Sequence, residues 1–368
     1  MNIESFANVV CTPFSQSKNQ DVSCRDLYGG LVYFSNNSKF IPSSSHVHFG
    51  ASYNFIIDTP LTWNIEAARG IYGGIIFNHF GHFMHESLGR LWAATKSEFL
   101  DYDIYFPCAW GFPSDDSFVW DIFDGLGISK SRIKFITENV FIEELIVPEQ
   151  TMGWGFVPKD NSSIIDFLNG FNCLETENFS SPSENIIVSR SALKFNNARI
   201  LYDECFDLFM KDNGWLIYYP EMHSISHQIS TYSKAKNLIF IEGSASYLMA
   251  FIKPSVNRLI LMVSRRLHSE WFCQVMRDYH DGNWILINNV VGNVIERVGY
   301  NAISYVDWGL ILKNINENVG VTTNPLVFDD FQKKKWLAEC LNFLGESLSP
   351  QFIKQLQFIE NKILNGDS

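Results

Sequence analysis

Residues 237–252, Asn-Leu-Ile-Phe-Ile-Glu-Gly-Ser-Ala-Ser-Tyr-Leu-Met-Ala-Phe-Ile, decide the fold. The apolar run Leu238–Ile241 has the length of a buried strand, and the Gly-Ser pair after it supplies turn and N-cap chemistry. We therefore predict a strand, a sharp turn at Glu242-Gly243 and a helix that begins at Ser244. Backbone N–H groups at such a helix start suit an anion such as phosphate. The stretch alone is equally consistent with a plain tight turn, because one Gly-Ser pair is weaker than a full glycine fingerprint.

The composition indicates a folded globular chain with no surface for nucleic acid. Of its 368 residues, 46% are hydrophobic and 18% are charged, and the net charge is −12. This length predicts two domains. Nucleic-acid binding needs clustered Lys and Arg, so we expect no such partner. No segment approaches 18 consecutive apolar residues and no signal-peptide pattern is present, so we expect a cytoplasmic protein without a transmembrane segment.

Metal-ligand patterns are weak in this sequence. The seven cysteines are scattered, and none forms a C-x-x-C pair, which is typical of buried thiols in a reducing compartment. Asp101 with Asp103, and the evenly spaced His79, His82 and His85, are the remaining candidates for metal ligands. Two-carboxylate matches arise often by chance, and the histidines begin in a predicted loop. We therefore expect no divalent metal cofactor.

In the first half, strand patterns alternate with helix patterns and predict a mostly parallel sheet covered by helices. Residues 1–70 are predicted to form irregular strands and loops. One long helix is predicted from about His82 to Phe99, and another from Ser117 to Leu126. Residues 150–184 are polar and are predicted to be loop-like, which places a domain boundary near 175–184. The predicted strands are Tyr72–Phe77, Ile104–Phe106, Arg132–Ile136 and Glu144–Val147.

The second half alternates strands and helices regularly and predicts a doubly wound domain. The predicted strands are Asn185–Val188, Trp215–Tyr219, Leu238–Ile241, Arg258–Val263 and Trp284–Ile287. The predicted helices are Arg199–Asp212, Ser224–Lys236 and Ser244–Lys253, with a helical tail from Phe331. Ligands in such a domain bind beyond the carboxyl ends of the strands.

Three strand-to-helix turns place polar groups at this edge of the sheet. They are Ser189-Arg190, the segment from Glu221 to Gln228, and Glu242-Gly243-Ser244. We expect Arg190 and Arg199 to contact a diphosphate, because guanidinium groups bind phosphate oxygens in bidentate fashion. Glu242 is expected to accept hydrogen bonds from ribose or sugar hydroxyls. The alternative is that the two arginines are surface ion-pair partners.

Five motifs occur along the chain in a recognisable order. They are Phe80-Gly81-His82-Phe83-Met84-His85-Glu86-Ser87-Leu88-Gly89-Arg90-Leu91; Ile187-Val188-Ser189-Arg190-Ser191; Ala198-Arg199-Ile200 with Asp203-Glu204; Tyr219-Pro220-Glu221 with His227-Gln228-Ile229; and Glu242-Gly243-Ser244-Ala245. Together they resemble the core of glycosyltransferase family 61, in a bacterial-type member, over about residues 70–265. The chain departs from the family pattern at Gly89, where proline is usual, and at Asp203, where asparagine is usual. Ser244 stands where many members have alanine.

The resemblance implies an inverting, nucleotide-sugar-dependent glycosyltransferase of GT-B-like α/β architecture, with two Rossmann-like domains that face a cleft. Residues 1–178 would form the acceptor-side domain, residues 179–330 the donor-binding domain and residues 331–368 a helical tail. His82 is expected to be the general base, and Glu86 either orients it or is the base itself. His85 and Arg90 are expected on the acceptor side. The expected donor-binding residues are Arg190, Arg199, Gln228, Glu242, Gly243, Ser244 and Ala245.

The resemblance also implies partners and a pathway. The substrates would be a nucleotide-sugar donor and a glycan or lipid-linked glycan acceptor, without a cofactor, in the synthesis of capsule or lipopolysaccharide. The enzyme would work in the cytoplasm, at the inner face of the membrane, and the sequence predicts no oligomeric state. One alternative is a non-catalytic nucleotide- or glycan-binding protein of the same fold, and another is a sugar-nucleotide-modifying enzyme. For His82 and Glu86 the alternative is a helix-capping pair that binds a loop.

Overall fold

The computed structural model describes residues 1–16, 27–48, 51–52, 61–153, 162–172, 184–193, 199–267, 269–293 and 303–320, together with Lys335 and Ala338. These residues form an α/β fold with two larger sheets, one in each half of the chain. The predicted boundary near residue 178 and almost all of the predicted tail lie outside the described residues. The division into residues 1–178, 179–330 and 331–368 therefore stays a prediction.

The first half builds a mixed sheet. Its described strands are β1 (Ile3–Cys11), β2 (Phe14–Gln16), β3 (Leu27–Gly29), β4 (Val32–Phe34), β5 (Val47–His48), β6 (Ala51–Ser52), β7 (Ile65–Tyr72), β8 (Ile76–Phe77), β9 (Asp103–Ala109), β10 (Ile133–Ile136) and β11 (Val140–Pro148). The order is β10-β9-β7-β11-β1-β4, with β8 beside β9. The strands from β10 to β11 are parallel, whereas β1 runs antiparallel to β11 and to β4. The antiparallel strands come from the region that was predicted to be irregular.

The prediction of one helix from His82 to Phe99 is wrong, because this region folds as a series of short turns. They are α1 (Phe80–His82), a π turn at Phe83–Ser87, and 3₁₀ turns at Leu91–Ala93 and Ser97–Phe99. The carbonyl of Gly89 accepts hydrogen bonds from the N–H (2.9 Å) and the hydroxyl (2.6 Å) of Thr151. A Cβ on Gly89 would lie 2.7 Å from the carbonyl oxygen of Met152. The chain at 151–152 therefore packs directly on Gly89 and replaces the helical hydrogen bonds there.

Two longer helices complete this half. Helix α2 (Phe118–Gly125) lies within the predicted helix and begins after Ser117, whose hydroxyl accepts a hydrogen bond from the N–H of Val119. Helix α3 (Ser162–Asn169) lies in the stretch that was predicted to be loop-like. Its buried residues, Ile164 and Leu168, are one turn apart and belong to the main apolar cluster of the protein. The helix is only eight residues long and follows a polar stretch, so its short apolar run is too weak a pattern to predict it.

The second half forms a five-stranded parallel sheet. Its strands are β12 (Asn185–Val188), β13 (Leu216–Tyr218), β14 (Asn237–Ile241), β15 (Leu259–Val263) and β16 (Asn283–Ile287). The helical elements between them are α4 (Asp203–Asp212), α5 (Ile225–Lys234), a 3₁₀ helix at Ser244–Phe251, and α6 (Glu270–Tyr279). Three elements without a sequence-based prediction follow, which are β17 (Val290–Asn293), β18 (Ser304–Val306) and α7 (Trp308–Val319). The strand order is β13-β12-β14-β15-β16, so it reverses between β12 and β14.

Alternate side chains of β14 cover the two faces of this sheet, as expected for a buried strand. Ile239 and Ile241 belong to an apolar cluster that includes residues of α4 and α7. Leu238 and Phe240 belong to another, which includes the 3₁₀ helix at Ser244–Phe251 and continues into α2 and α3 of the first half. Both faces of the sheet are therefore covered, as predicted, and the two halves of the chain share one buried core.

Candidate functional site

A cavity of about 470 Å³ lies at the carboxyl ends of β12 and β14. The strand order reverses between these two strands, and doubly wound sheets bind ligands at such a reversal. Arg190, Gln228, Ser244 and Ala245 line the cavity from the second half. Phe80, Phe118 and the carboxylates Asp116 and Asp121 line it from the first half. Four of the predicted donor-binding residues are therefore brought together, at a point where both halves of the chain meet.

Arg190 lies directly against the Gly243 turn. A Cβ on Gly243 would lie 2.4 Å from Nη1 of Arg190. The backbone of Gly243 is extended, with φ at 172°, so the glycine is needed for this close approach and not for its conformation. Burial lowers the pKa of Arg190 from its ordinary value, and the carboxylates of Asp203, Glu221 and Glu242 counteract part of that effect. Arg190 therefore places a partly buried positive charge next to the Gly243 turn, at the wall of the cavity.

The predicted helix at Ser244 is a 3₁₀ helix of eight residues and not an α-helix. It begins at Ser244, as predicted, so its first turn faces the cavity. Gln228 belongs to α5 on the neighbouring wall. Its Nε2 donates hydrogen bonds to the carbonyls of Pro220 (2.9 Å) and His223 (3.1 Å). Gln228 therefore fixes the loop that connects β13 to α5, and this loop forms part of the cavity wall.

Glu242 does not line the cavity, although it precedes the turn. Its side chain is fully buried and accepts hydrogen bonds from the backbone N–H of Arg265 (3.0 Å), from the hydroxyl of Ser269 (2.7 Å) and from the guanidinium of Arg266 (2.6 Å to Nε). These contacts join the end of β14 to the segment after β15. In this structure the carboxylate therefore contacts protein groups, which favours a structural role, and the contact with ribose stays a prediction.

Arg199 also lies away from the cavity lining. Its guanidinium pairs with Asp203 (Nη2–Oδ1, 2.5 Å; Nε–Oδ2, 3.1 Å) and with Glu204 (Nη2–Oε1, 3.1 Å). Arg199 and Asp203 are both buried, so this is an internal ion pair at the start of α4. Neither of the sequence-based alternatives, a diphosphate contact or a surface ion pair, describes this arrangement.

His82 and Glu86 form a hydrogen-bonded pair that a third residue completes. His82 Nδ1 lies 2.5 Å from one carboxylate oxygen of Glu86, and His46 Nε2 lies 2.8 Å from the other. The side chain of Glu86 is fully buried and that of His46 is 4% exposed, whereas that of His82 is 20% exposed. His82 is therefore the member of this cluster that a substrate can reach most directly.

His46 was not identified from the sequence, because a single histidine after a run of serines carries no pattern. The structure holds its segment firmly from both sides. Arg90 Nη2 donates to the carbonyl of Ser45 (2.8 Å). Gln150 accepts a hydrogen bond from the N–H of Val47 (2.9 Å) and donates one to its carbonyl (3.1 Å). The position of His46 against Glu86 is therefore set by the residues on either side of it.

The His82 segment contacts the Gly243-Ser244 turn. A Cβ on Gly81 would lie 3.5 Å from Cβ of Ser244 and 3.6 Å from the ring of Tyr247. Phe80, on the other side of Gly81, lines the cavity. The first and last of the five motifs are therefore in direct contact, although residues 92–241 separate them in the sequence.

His85 and Arg90, which were predicted on the acceptor side, are both buried. The ring of His85 packs edge-to-face on Tyr247 at 3.9 Å, and burial lowers its pKa to about 3, so the ring is neutral. Arg90 donates to the carbonyls of Ser45 and Pro148, and burial lowers its pKa to about 10. In this arrangement both residues pack in the interior beneath the site. Arg90 also helps to position His46, because it donates a hydrogen bond to the carbonyl of the neighbouring Ser45.

Among the described residues, no group of three or more His, Cys, Asp or Glu side chains is placed to hold a metal ion. Asp101 and Asp103 pair instead with Arg69 and with Lys134 (3.7 Å), respectively. No helix in the described part of the chain is both long and apolar enough to cross a membrane.

A cavity at the reversal of a parallel sheet, with a cation on one wall and a histidine–glutamate pair beside it, defines an α/β protein with an enzyme-like site. The chain belongs to glycosyltransferase family 61, because the family model described as Glycosyltransferase 61 matches residues 80–277, more than half of the chain. No curated protein matches it significantly. The family resemblance of the sequence is thereby confirmed, and it supports a transferase with a sugar donor and an acceptor. The matched region contains His82, Glu86 and Arg190, and begins after His46.

Proposed function

We propose that this protein is an inverting glycosyltransferase that uses a nucleotide-sugar donor and has a GT-B-like arrangement of two domains. The observation that carries the proposal is the contact between Gly81 and Ser244. The same segment carries Phe80, which lines the cavity with Arg190, and the His82–Glu86 pair, which therefore lies close to that cavity. The GT-B-like arrangement is supported by the two sheets and by the lining of this cavity from both halves of the chain.

His82 is the proposed general base. In an inverting transfer, an acceptor hydroxyl attacks the anomeric carbon while the nucleoside diphosphate leaves from the opposite side, so a base must take the hydroxyl proton. In the tautomer that we propose, Nδ1–H of His82 donates to Glu86, and the lone pair on Nε2 is left to receive the proton. Glu86 is fully buried between two histidines, which favours an orienting role over a role as the base.

The cavity is the proposed donor site. Its volume of about 470 Å³ is in the range of small-ligand pockets. Arg190 would neutralise the leaving diphosphate, and the first turn of the 3₁₀ helix at Ser244 and Ala245 would offer backbone N–H groups to it. A cation in this position supports metal-independent transfer, because it supplies the charge that a metal ion supplies in other transferases.

The proposed acceptor is a glycan or lipid-linked glycan of a surface polysaccharide, such as capsule or lipopolysaccharide. The enzyme would act in the cytoplasm, with access to the inner face of the membrane. This part of the proposal is supported by the family alone.

The test begins with a thermal-shift screen against nucleoside monophosphates, nucleoside diphosphates and their sugars, because a ligand of the native state raises its stability. Transfer is then measured with the donor that binds. His82→Ala should lower kcat by about 100-fold or more while the donor-induced thermal shift persists. Arg190→Ala should weaken donor binding, and Arg69→Ala, an exposed arginine outside the cavity, is the matched control. His46→Gln should lower kcat more than it changes KM for the donor.

Each alternative predicts a different result in this assay. A non-catalytic binding protein would bind the nucleoside diphosphate without turnover. A sugar-nucleotide-modifying enzyme would release an altered sugar that is still attached to the diphosphate. Retention of the anomeric configuration in the product would contradict the inverting mechanism. Full activity in both His82→Ala and Arg190→Ala would refute the site.

A further inference from the structure

Trp110 is an exposed aromatic residue beside the proposed base, and the mechanism above does not use it. It directly follows β9, at the carboxyl end of that strand. Its ring centroid lies 4.7 Å from that of His82, 5.0 Å from that of Phe77 and 6.1 Å from that of His79. The side chain is nevertheless 38% exposed, although tryptophan is highly buried on average. One part of the indole therefore packs against the rings of His82 and His79, and another part faces solvent.

The backbone at Trp110 adopts an unfavourable conformation that presents this ring. Trp110 has φ at 62° and Gly111 has φ at 92°, so two consecutive residues are left-handed. A bulky residue rarely adopts this conformation, and such strain tends to occur at functional sites. The turn is tied to the end of β8, because Asn78 donates from its backbone N–H to the carbonyl of Ala109 (3.2 Å) and from its side chain to that of Phe112 (3.2 Å). These contacts maintain the strained turn.

We propose that Trp110 is a stacking platform for the acceptor sugar, and that the ligand is a pyranoside with an apolar face of axial C–H groups, such as a β-glucoside or a β-galactoside. This inference rests on the proposed function, because it assigns the acceptor subsite of the same reaction. The C–H groups of such a face carry partial positive charge and are attracted to the negative face of an aromatic ring. A sugar on the indole would have its hydroxyls close to His82, which contacts the same ring.

Polar groups beside Trp110 suit the edge of a sugar. His79 is partly exposed to solvent, and its ring lies 6.1 Å from that of Trp110 and 5.3 Å from that of His82. Burial and the neighbouring His82 lower the pKa of His79, so its ring is neutral and can donate one hydrogen bond and accept another. Phe80, the residue after His79, lines the donor cavity, so a sugar on Trp110 would lie beside that cavity.

The test is a nuclear magnetic resonance titration of the full-length chain with ¹⁵N-labelled tryptophan. The indole N–H signal of Trp110 is assigned by its loss in Trp110→Phe. Methyl β-glucoside, methyl β-galactoside and octyl phosphate are added separately, up to about 50 mM, so that a Kd in the millimolar range would be detected. We expect a saturable shift of the Trp110 signal with at least one pyranoside. The shift should persist in Phe112→Ala, a matched exposed aromatic residue that packs on Phe135 and not on the histidines.

Kinetics give a second measurement that does not depend on the assignment. Trp110→Ala should raise KM for a glycan acceptor about tenfold, Trp110→Phe should raise it less, and Phe112→Ala should leave it near the wild-type value. The proposal is overturned if neither pyranoside moves the Trp110 signal, if only octyl phosphate moves it, or if Phe112→Ala raises KM as much as Trp110→Ala. A wild-type protein that transfers no sugar would refute the proposed function instead, and the titration would still report whether Trp110 binds a pyranoside.

Discussion

Glu242→Gln tests whether the glutamate at the centre of residues 237–252 stabilises the fold or binds the donor. The fully buried carboxylate accepts hydrogen bonds from Arg265, Arg266 and Ser269, and it is also the counter-charge of both arginines. Burial, followed by repulsion from Arg190, lowers the pKa of Arg265 to about 9, which indicates how costly uncompensated charge is here. Glutamine keeps the shape but removes the charge, and its amide N–H₂ would face hydrogen-bond donors.

The expected loss of stability follows from this geometry. Removal of one partner from a buried ion pair costs about 3–5 kcal/mol. The side chain of Arg266 is 17% exposed, so water offsets part of the cost, and we expect the lower end, about 3 kcal/mol. For a chain of 368 residues the unfolding entropy is about 0.8 kcal/mol/K if the protein unfolds as one unit. The Tm should therefore fall by about 4 °C.

Scanning calorimetry of the wild type and of Glu242→Gln measures this difference, and a donor titration accompanies it. The matched control is Glu221→Gln, because Glu221 is an exposed glutamate at the rim of the same cavity and surface changes rarely exceed about 0.5 kcal/mol. A Glu242→Gln protein with an unchanged Tm and a weaker affinity for the donor would refute the structural role and restore the ribose contact that the sequence suggested.

Two further predictions concern the residues around Arg190. In Gly243→Ala the new Cβ would lie 2.4 Å from Nη1 of Arg190, so the guanidinium must shift. The Kd for the donor should rise about tenfold with little change in Tm. In a protein that already carries Arg190→Ala, the Gly243→Ala change should have no further effect on this Kd. Burial raises the pKa of Asp207 from 3.8 to about 7, so the folded state binds more protons than the unfolded state between these values. Its contribution to the free energy of unfolding therefore falls as the pH rises through this window and is constant above it. Urea unfolding at several pH values should show that Asp207→Asn removes this slope, and an unchanged slope would contradict the assignment.

The second sheet was predictable because its signals are local. The apolar runs at Leu238–Ile241 and Asn185–Val188 and the cap at Ser224 all act within a few residues, and the structure has each of them. The region from His82 to Phe99 was not predictable in this way. Its periodicity predicts a helix, but contacts from the distant segment at Thr151 take the place of helical hydrogen bonds at Gly89, and no local pattern shows them.

In the site, too, the features set by neighbouring residues were predictable and those set by distant segments were not. The turn chemistry at Gly243 and the pairing of His82 with Glu86 over four residues are local, and both could be proposed from the sequence. The buried partners of Glu242 and Arg199 were not foreseen, because a strand-end carboxylate or guanidinium has the same sequence pattern whether it faces a cavity or the interior.

By itself, the sequence determined the family, the alternation of strands and helices, the parallel second sheet, and a polar edge with Arg190 and Ser244 on it. Only the tertiary structure decided that Gly81 meets Ser244, that His46 joins Glu86 from 40 residues away, and that Trp110 is held at the surface beside His82. The physical reason is the range of the interactions. Backbone periodicity and capping act between neighbours in the chain, whereas the burial of a carboxylate or the position of a ring depends on which distant segments pack against it.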